Sequence, residues 1–372
     1  MTSSLEDADL LRAGVRDALE HLSTSADVRR AMATARGYEE QLWRRLAGEL
    51  GLPGLTLPAE LGGSELTEEE LAIAFEEAGA RLLCAPLFAT AGLAVPMLQA
   101  LGDSAALAQY GPPIASGELT ATVALAEDTG GWRAEAVRCT AAQGDGGWVI
   151  DGVKDYVVDG ATAGLILVVA LAGADLGVFA VPGHAPGLER TPLVTLDQTR
   201  KQARLVFTRT PAQRVGSGPA LASVTRATAV SRALLAAEQV GGARQCLDMT
   251  VAYAKSRIQF GRPIGSFQAV KQRLADCLVL VESARSAALA AVTAAAAGAE
   301  DVEHVAAVAA LTCGDAYTWV TGQTIQLHGG IGFTWEHDAH LYFKRARTSA
   351  LLLGPASELI ELIGRQLERI VS

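Results

Sequence analysis

The spacing of apolar residues changes character twice along the chain. Up to about residue 115 they recur at three- and four-residue intervals, which predicts helices. Leu10, Leu11, Val15 and Leu19 make one face, and Tyr38 to Leu50 carries another. A break rich in Gly and Pro runs from Gly51 to Gly63. Thr67-Glu68-Glu69-Glu70 then reads as a capping box, with Thr67 as N-cap and Glu70 reaching back to it. From Leu119 to Arg214 the helical period is gone. Short alternating runs replace it at 120–125, 148–150, 165–171, 177–181 and 202–207, separated by Gly, Asp and Pro turns. Gly144-Asp145-Gly146-Gly147 is a hairpin signal. After Leu221 the helical period returns and predicts four long helices, at about 221–256, 266–298, 301–328 and 355–370. The expected fold is α+β and mostly α. It has an N-terminal helical domain over 1–116, a central β-barrel or sandwich over 117–216, and a C-terminal four-helix bundle over 217–372.

Length and charge narrow the function classes. The 372 residues suffice for two or three domains. A formal net charge of −10 argues against nucleic-acid and anionic-membrane partners. No uninterrupted apolar run reaches the ~18 residues of a membrane span, and the Ala-rich stretch 287–297 is broken by Thr293. The opening residues, Met1 to Asp7, lack the positive and apolar regions of a signal peptide, so a cytoplasmic location is expected. Cys84, Cys139, Cys246, Cys277 and Cys313 are dispersed, which fits reduced core thiols. His337 and His340 beside Asp338 could mimic a metal pair. No further ligand cluster accompanies them, so no metal is expected.

One stretch concentrates candidate chemistry. The long periodic segment up to Lys255 is broken at Phe260-Gly261 and Pro263, and the pattern resumes from Ser266. Arg257, Phe260 and Gln268 therefore sit around a helix–turn–helix corner. A guanidinium, an aromatic ring and an amide there can hold a planar anionic ligand. From spacing alone, the plainer reading is a buried turn between two bundle helices with a surface ion pair. A second motif follows downstream, Gln326-Leu327-His328-Gly329-Gly330-Ile331-Gly332-Phe333.

Arg-x-x-Phe-Gly-x-x-Ile-x-x-Phe-Gln from Arg257, followed by the Gln326 motif, resembles the paired signatures of the acyl-CoA dehydrogenase flavoprotein family. Trp43, Leu46, Gly51, Pro58 and Gly62-Gly63 are similar to that family's amino-terminal helical domain, and the stretch from Gly152 to Gly160 looks like its strand pair beside the flavin. The resemblance implies α,β-dehydrogenation of an acyl-CoA thioester, FAD as cofactor, and bundles paired into dimers and tetramers. It also implies that Arg257, Phe260, Gln268, Gln326, Leu327, His328, Gly329 and Gly330 contact the ADP half of a FAD held by a neighbouring subunit.

The family's other features are missing at their expected places. Its catalytic glutamate occurs at one of two positions, which here match Gly354 and Ser231, the latter just ahead of the family arginine, Arg232. Neither side chain can take an α-proton near neutral pH. Glu238, seven residues past Ser231, is a weak substitute, and Glu358 reads as a charge favoured at a helix start. The family's Thr-Glu-Pro-Gly loop corresponds to 125–132, where Ala126 replaces its threonine and Trp132 or Gly131 its serine. On the following strand, Val158 stands where a hydroxyl would face the flavin N5.

The chain is thus similar to the base-lacking subunit of heteromeric α2β2 acyl-CoA dehydrogenases of bacterial steroid side-chain breakdown. A homologous subunit is the expected partner. The alternatives are a homomeric acyl-CoA flavoenzyme with an atypical base, and a structural family member without flavin.

Overall fold

The computed structural model describes residues 5–127, 131–144 and 146–371. In chain order the first helices are α1 (Leu5–Leu22), α2 (Ser25–Ala33), α3 (Glu40–Gly48), α4 (Glu68–Ala80), α5 (Val95–Leu101) and α6 (Ser104–Ala115). The α1 face differs from expectation: Val15 and Leu19 are buried, but Leu10 is exposed. The capping box forms at the start of α4. The Thr67 backbone N–H donates to Glu70 Oε2 at 2.8 Å, and the Glu69 N–H donates to Thr67 Oγ1 at 3.2 Å.

Seven strands follow: β1 (Ala121–Ala124), β2 (Thr140–Gly144), β3 (Gly147–Val158), β4 (Leu165–Ala172), β5 (Asp175–Pro182), β6 (Leu188–Pro192) and β7 (Gln202–Val215). The sequence runs mark β1, β3, β4, β5 and β7 but miss β2 and β6. Those two bury almost nothing, so apolar alternation is absent from them. Neighbours run β2–β3–β7–β5–β4, and β4 also pairs with β2, which closes the sheet. The central domain is therefore a barrel, with β1 and β6 added to it. Its interior includes Ile150, Val157, Ile166, Val168, Phe179, Val181, Leu205 and Phe207. The β2–β3 hairpin pairs Gly144 with Gly147 as the turn signal requires; Asp145 lies outside the described residues.

The remainder comprises α7 (Leu221–Ser256), a two-strand ribbon of β8 (Ile258–Gln259) and β9 (Arg262–Pro263), α8 (Gln268–Ala296), α9 (Val302–His328), α10 (Ala339–Ser349) and α11 (Ala356–Val371). Four of the five helices match the expected long ones. Between the last two expected helices lies α10, an eleven-residue helix whose apolar face is too short to register as a period. Every residue of α7 from 227 to 243 is buried, polar ones included.

An 18-residue window of α8 has mean hydropathy 1.5 and is 33% buried, so by length and composition this helix alone among the described residues could cross a membrane. One face of α8, through Cys277, Val281, Ala284, Ala288 and Val292, is buried against α9, while Leu278, Val279 and Leu289 are exposed. All five cysteines are buried free thiols.

By contacts the chain forms two compact units. One comprises Met1–Arg29, Ala72–Leu83 and Arg232–Ser372; the other comprises Arg30–Leu71 and Cys84–Ser231. Inside the first, α4 and α7 cross with their backbones touching. A Cβ on Gly241 would lie 1.8 Å from the Glu76 carbonyl oxygen, and one on Gly79 would lie 2.0 Å from that of Glu238. The crossing puts Glu76 and Glu77 beside Arg244, while Arg12 and Arg16 reach Glu77 from α1 at 3.0 and 2.8 Å.

Candidate functional site

The corner after α7 is a tight hairpin. Phe260 (φ 52°) and Gly261 (φ 75°) form its turn, Gln259 pairs with Arg262, and the Ile264 N–H returns to the Arg257 carbonyl at 2.8 Å. The expected buried turn is not what forms. Phe260 is 92% exposed, and Arg257 and Gln268 are exposed as well. Among the described residues neither the Arg257 nor the Gln268 side chain makes a hydrogen bond or ion pair. The Phe260 ring meets Phe267 edge-on at 6.1 Å, and the Arg262 guanidinium covers Phe267 at 4.1 Å.

The second motif closes α9. Gln326, Gly329 and Gly330 are exposed, and Leu327 is half-buried. A Cβ on either glycine would meet nothing within 4 Å. His328 is different. Its ring is buried, its Nδ1 donates to the Thr324 carbonyl at 2.7 Å, and it stacks on Tyr253 with centroids 4.4 Å apart. Burial lowers its pKa. Its side chain therefore faces the fold, and only its backbone borders the open surface. His337 lies against His328 at 4.5 Å and His340 against Trp335 at 4.9 Å. Among the described residues no group of three or more His, Cys, Asp or Glu could hold a metal.

The two positions that the family resemblance matches to a base hold serine and glycine. Ser231 is buried and its hydroxyl donates to the Ala227 carbonyl one turn back, at 2.9 Å. Gly354 has φ 127°, follows Leu353 at φ 66°, and lies against Arg232, whose Nε donates to the Leu353 carbonyl at 2.8 Å. Glu238 is committed elsewhere: Arg345 Nη1 donates to its Oε1 at 2.8 Å, with both side chains buried. Glu358 sits in the first turn of α11.

In the barrel unit, the loop after β1 is held by a buried ion pair that the sequence did not disclose. Lys154 is fully buried, and its Nζ donates to the Leu125 carbonyl at 3.0 Å and to Glu127 Oε1 at 2.8 Å. Glu127 also accepts from the backbone N–H groups of Arg138 and Cys139. Burial alone would raise the Glu127 pKa, but Lys154 and these N–H groups outweigh it and hold the carboxyl below its ordinary value. Ala126 and Trp132 are buried; Asp128, Thr129 and Gly130 lie outside the described residues. Farther along β3, Tyr156 (φ 56°) forms a bulge that leaves its ring 43% exposed. Val158 is fully buried, and its carbonyl accepts from Thr122 Oγ1 at 2.6 Å.

Comparison with known proteins decides the lineage. Three acyl-CoA dehydrogenase domain families match in order: the N-terminal domain over 5–118, the middle domain over 122–210 and the C-terminal domain over 221–368. The chain belongs to the acyl-CoA dehydrogenase family. It is similar to the acyl-CoA dehydrogenase IpdE2 of Mycobacterium tuberculosis (strain ATCC 25618 / H37Rv), with 37% identity over 95% of both chains. Among solved structures, a variant of the Tcur3481-Tcur3483 steroid ACAD matches with 33% identity and TM-score 0.89 over 99% of both chains. The ChsE4-ChsE5 complex of Mycobacterium tuberculosis matches with 28% identity and TM-score 0.89, also over 99% of both chains. As an acyl-CoA dehydrogenase family member, the chain is related to oxidoreductases of lipid metabolism.

Proposed function

We infer that this chain is the base-lacking subunit of a heteromeric FAD-dependent acyl-CoA dehydrogenase, lending contacts to the ADP half of a FAD whose ring is seated in a homologous partner. The observation that carries this reading is Phe260. It occupies left-handed backbone that favours glycine and projects its ring almost wholly into solvent. Such a residue contributes little to the chain's own stability, so its ring suits a contact made outside the chain. Arg257 and Gln268 beside it are likewise exposed, and Gly329 and Gly330 leave open space for close approach. These residues fit an adenosine diphosphate moiety: guanidinium for phosphate, ring for stacking, backbone for close contact.

The ring half of the cofactor fits this chain poorly. Val158 is sealed inside and offers no hydroxyl, and Ala126 and Trp132 are buried without one. Bound FAD would accept hydride from the acyl chain; a carboxylate must take the α-proton. No residue matched to that task here carries a free carboxylate, since Gly354 and Ser231 have none and Glu238 is held by Arg345. That ion pair also removes support from a homomeric enzyme using Glu238. The likeness to a steroid ACAD and to a two-protein complex favours a steroid-type acyl-CoA substrate and a homologous partner, in a 2:2 assembly. The exposed apolar residues of α8 and the division at residues 116 and 216 belong to the same reading.

Co-expression with a glutamate-bearing homologue tests it. The chain purified alone should be colourless, and the complex should show flavin absorbance and dehydrogenate acyl-CoA. Stoichiometric flavin and turnover from the lone chain would overturn the reading.

A further inference from the structure

The place matched to a catalytic carboxylate is not empty of charge. Arg232 is only 6% exposed, on the buried part of α7. Its Nε donates to the Leu353 carbonyl at 2.8 Å, and this is the only hydrogen bond its side chain makes among the described residues. Among the described residues neither terminal nitrogen has a hydrogen-bond partner and no carboxylate lies within ion-pair distance. A largely buried guanidinium with its terminal nitrogens left this way is stabilised by any anion that reaches it. Burial pulls its pKa down, and the more distant carboxylates of Glu303 and Glu358 only partly offset that.

Two further features converge on the same point. With no side chain on Gly354, nothing at that position covers Arg232 Nη2: a Cβ there would lie 3.5 Å from it, 3.5 Å from Leu359 Cδ2 and 3.6 Å from Glu358 Oε2. α11 then starts at Ala356. The backbone N–H groups of Glu358 and Leu359 turn back to the Pro355 carbonyl, whereas those of Ala356 and Ser357 make no hydrogen bond among the described residues. A sixteen-residue helix thus presents unfilled donors and its positive end next to the buried cation.

We propose that Arg232, Gly354 and the first turn of α11 form a binding subsite for a small monocarboxylate. A planar carboxylate matches the two free guanidinium nitrogens as a fork. Glu358 at the rim disfavours a dianion such as phosphate. The site goes beyond the flavin reading and stands without it, because every residue in it belongs to one unit of this chain. Where a catalytic subunit would supply its own carboxylate, this chain keeps the cation and leaves the anion to be brought in.

Saturation-transfer NMR of the acetate methyl signal on the full-length chain tests this, with sodium chloride holding ionic strength constant. Wild-type protein should bind acetate saturably, and inorganic phosphate should compete weakly. Arg232→Gln should abolish binding. Glu358→Gln should tighten it by about twofold or more, since a nearby like charge is removed. Non-saturable transfer in the wild type, or unchanged acetate binding in folded Arg232→Gln, overturns the proposal. Should Arg232→Gln fail to fold, Glu358→Gln decides: unchanged or weaker acetate binding overturns it.

Discussion

Arg345 and Glu238 join α10 to α7 through a buried ion pair, Nη1 to Oε1 at 2.8 Å, with side chains 3% and 5% exposed. Arg345 also reaches the Leu83 carbonyl at 3.5 Å. Removing one partner strands the other charge inside the bundle. Glu238→Ala is therefore expected to destabilise the chain by about 3–5 kcal/mol, read by urea denaturation. In the assembled complex, Glu238→Gln should leave the pH profile of turnover where it was. A shifted profile would restore Glu238 as a base.

The α4–α7 crossing predicts an asymmetry between glycines. Gly241→Ala must push a methyl into the Glu76 carbonyl, which is backbone and cannot rotate away. A loss of about 1–3 kcal/mol or more is expected, with a lower thermal midpoint. Gly14→Ala on α1 meets nothing within 4 Å and should stabilise slightly.

The barrel's Lys154–Glu127 pair should leave an acid signature. Because folding holds the Glu127 carboxyl below its unfolded value, its contribution is fully present above about pH 4.5 and is lost as pH falls through the folded value. Glu127→Gln lacks that contribution at every pH. The stability gap between wild type and variant is expected to be wide at neutral pH and to narrow as pH falls below about 4.5. A gap independent of pH would contradict the pairing.

Phe260 should show opposed effects on stability and binding. Phe260→Gly relieves left-handed strain and is expected to stabilise the lone chain by about 1 kcal/mol. In the complex the same change should lower flavin retention. Arg257→Ala should leave the thermal midpoint of the chain unmoved, because the side chain has no partner among the described residues, yet weaken flavin binding by about 10- to 100-fold. Retained flavin in both variants would place the contact elsewhere.

Much of this was legible in the sequence because it is periodic or local. The 36-residue α7, the Thr67–Glu70 cap and the Gly144–Gly147 hairpin each depend on residues within a turn of one another. β2 and β6 escaped because exposed strands carry no apolar alternation. The ion pairs escaped for another reason. Lys154 and Glu127 lie 27 positions apart and Arg345 and Glu238 lie 107 apart, so nothing in local spacing announces them. The corner at Phe260 was placed correctly and its burial misjudged, because an aromatic beside glycine ordinarily signals a core turn.

The backbone at Leu353 and Gly354 restricts which side chains can stand there. Both residues sit at positive φ, and the second angle, 127°, is one that side chains with a Cβ rarely adopt. Installing an acid at 354 would meet no clash at its Cβ but an unwelcoming main chain. Placing a proton acceptor at this spot thus demands that the whole bend relax together with the side chain, so a change of this one residue would not suffice. Under the proposed division of labour, this bend would keep the two roles on separate chains.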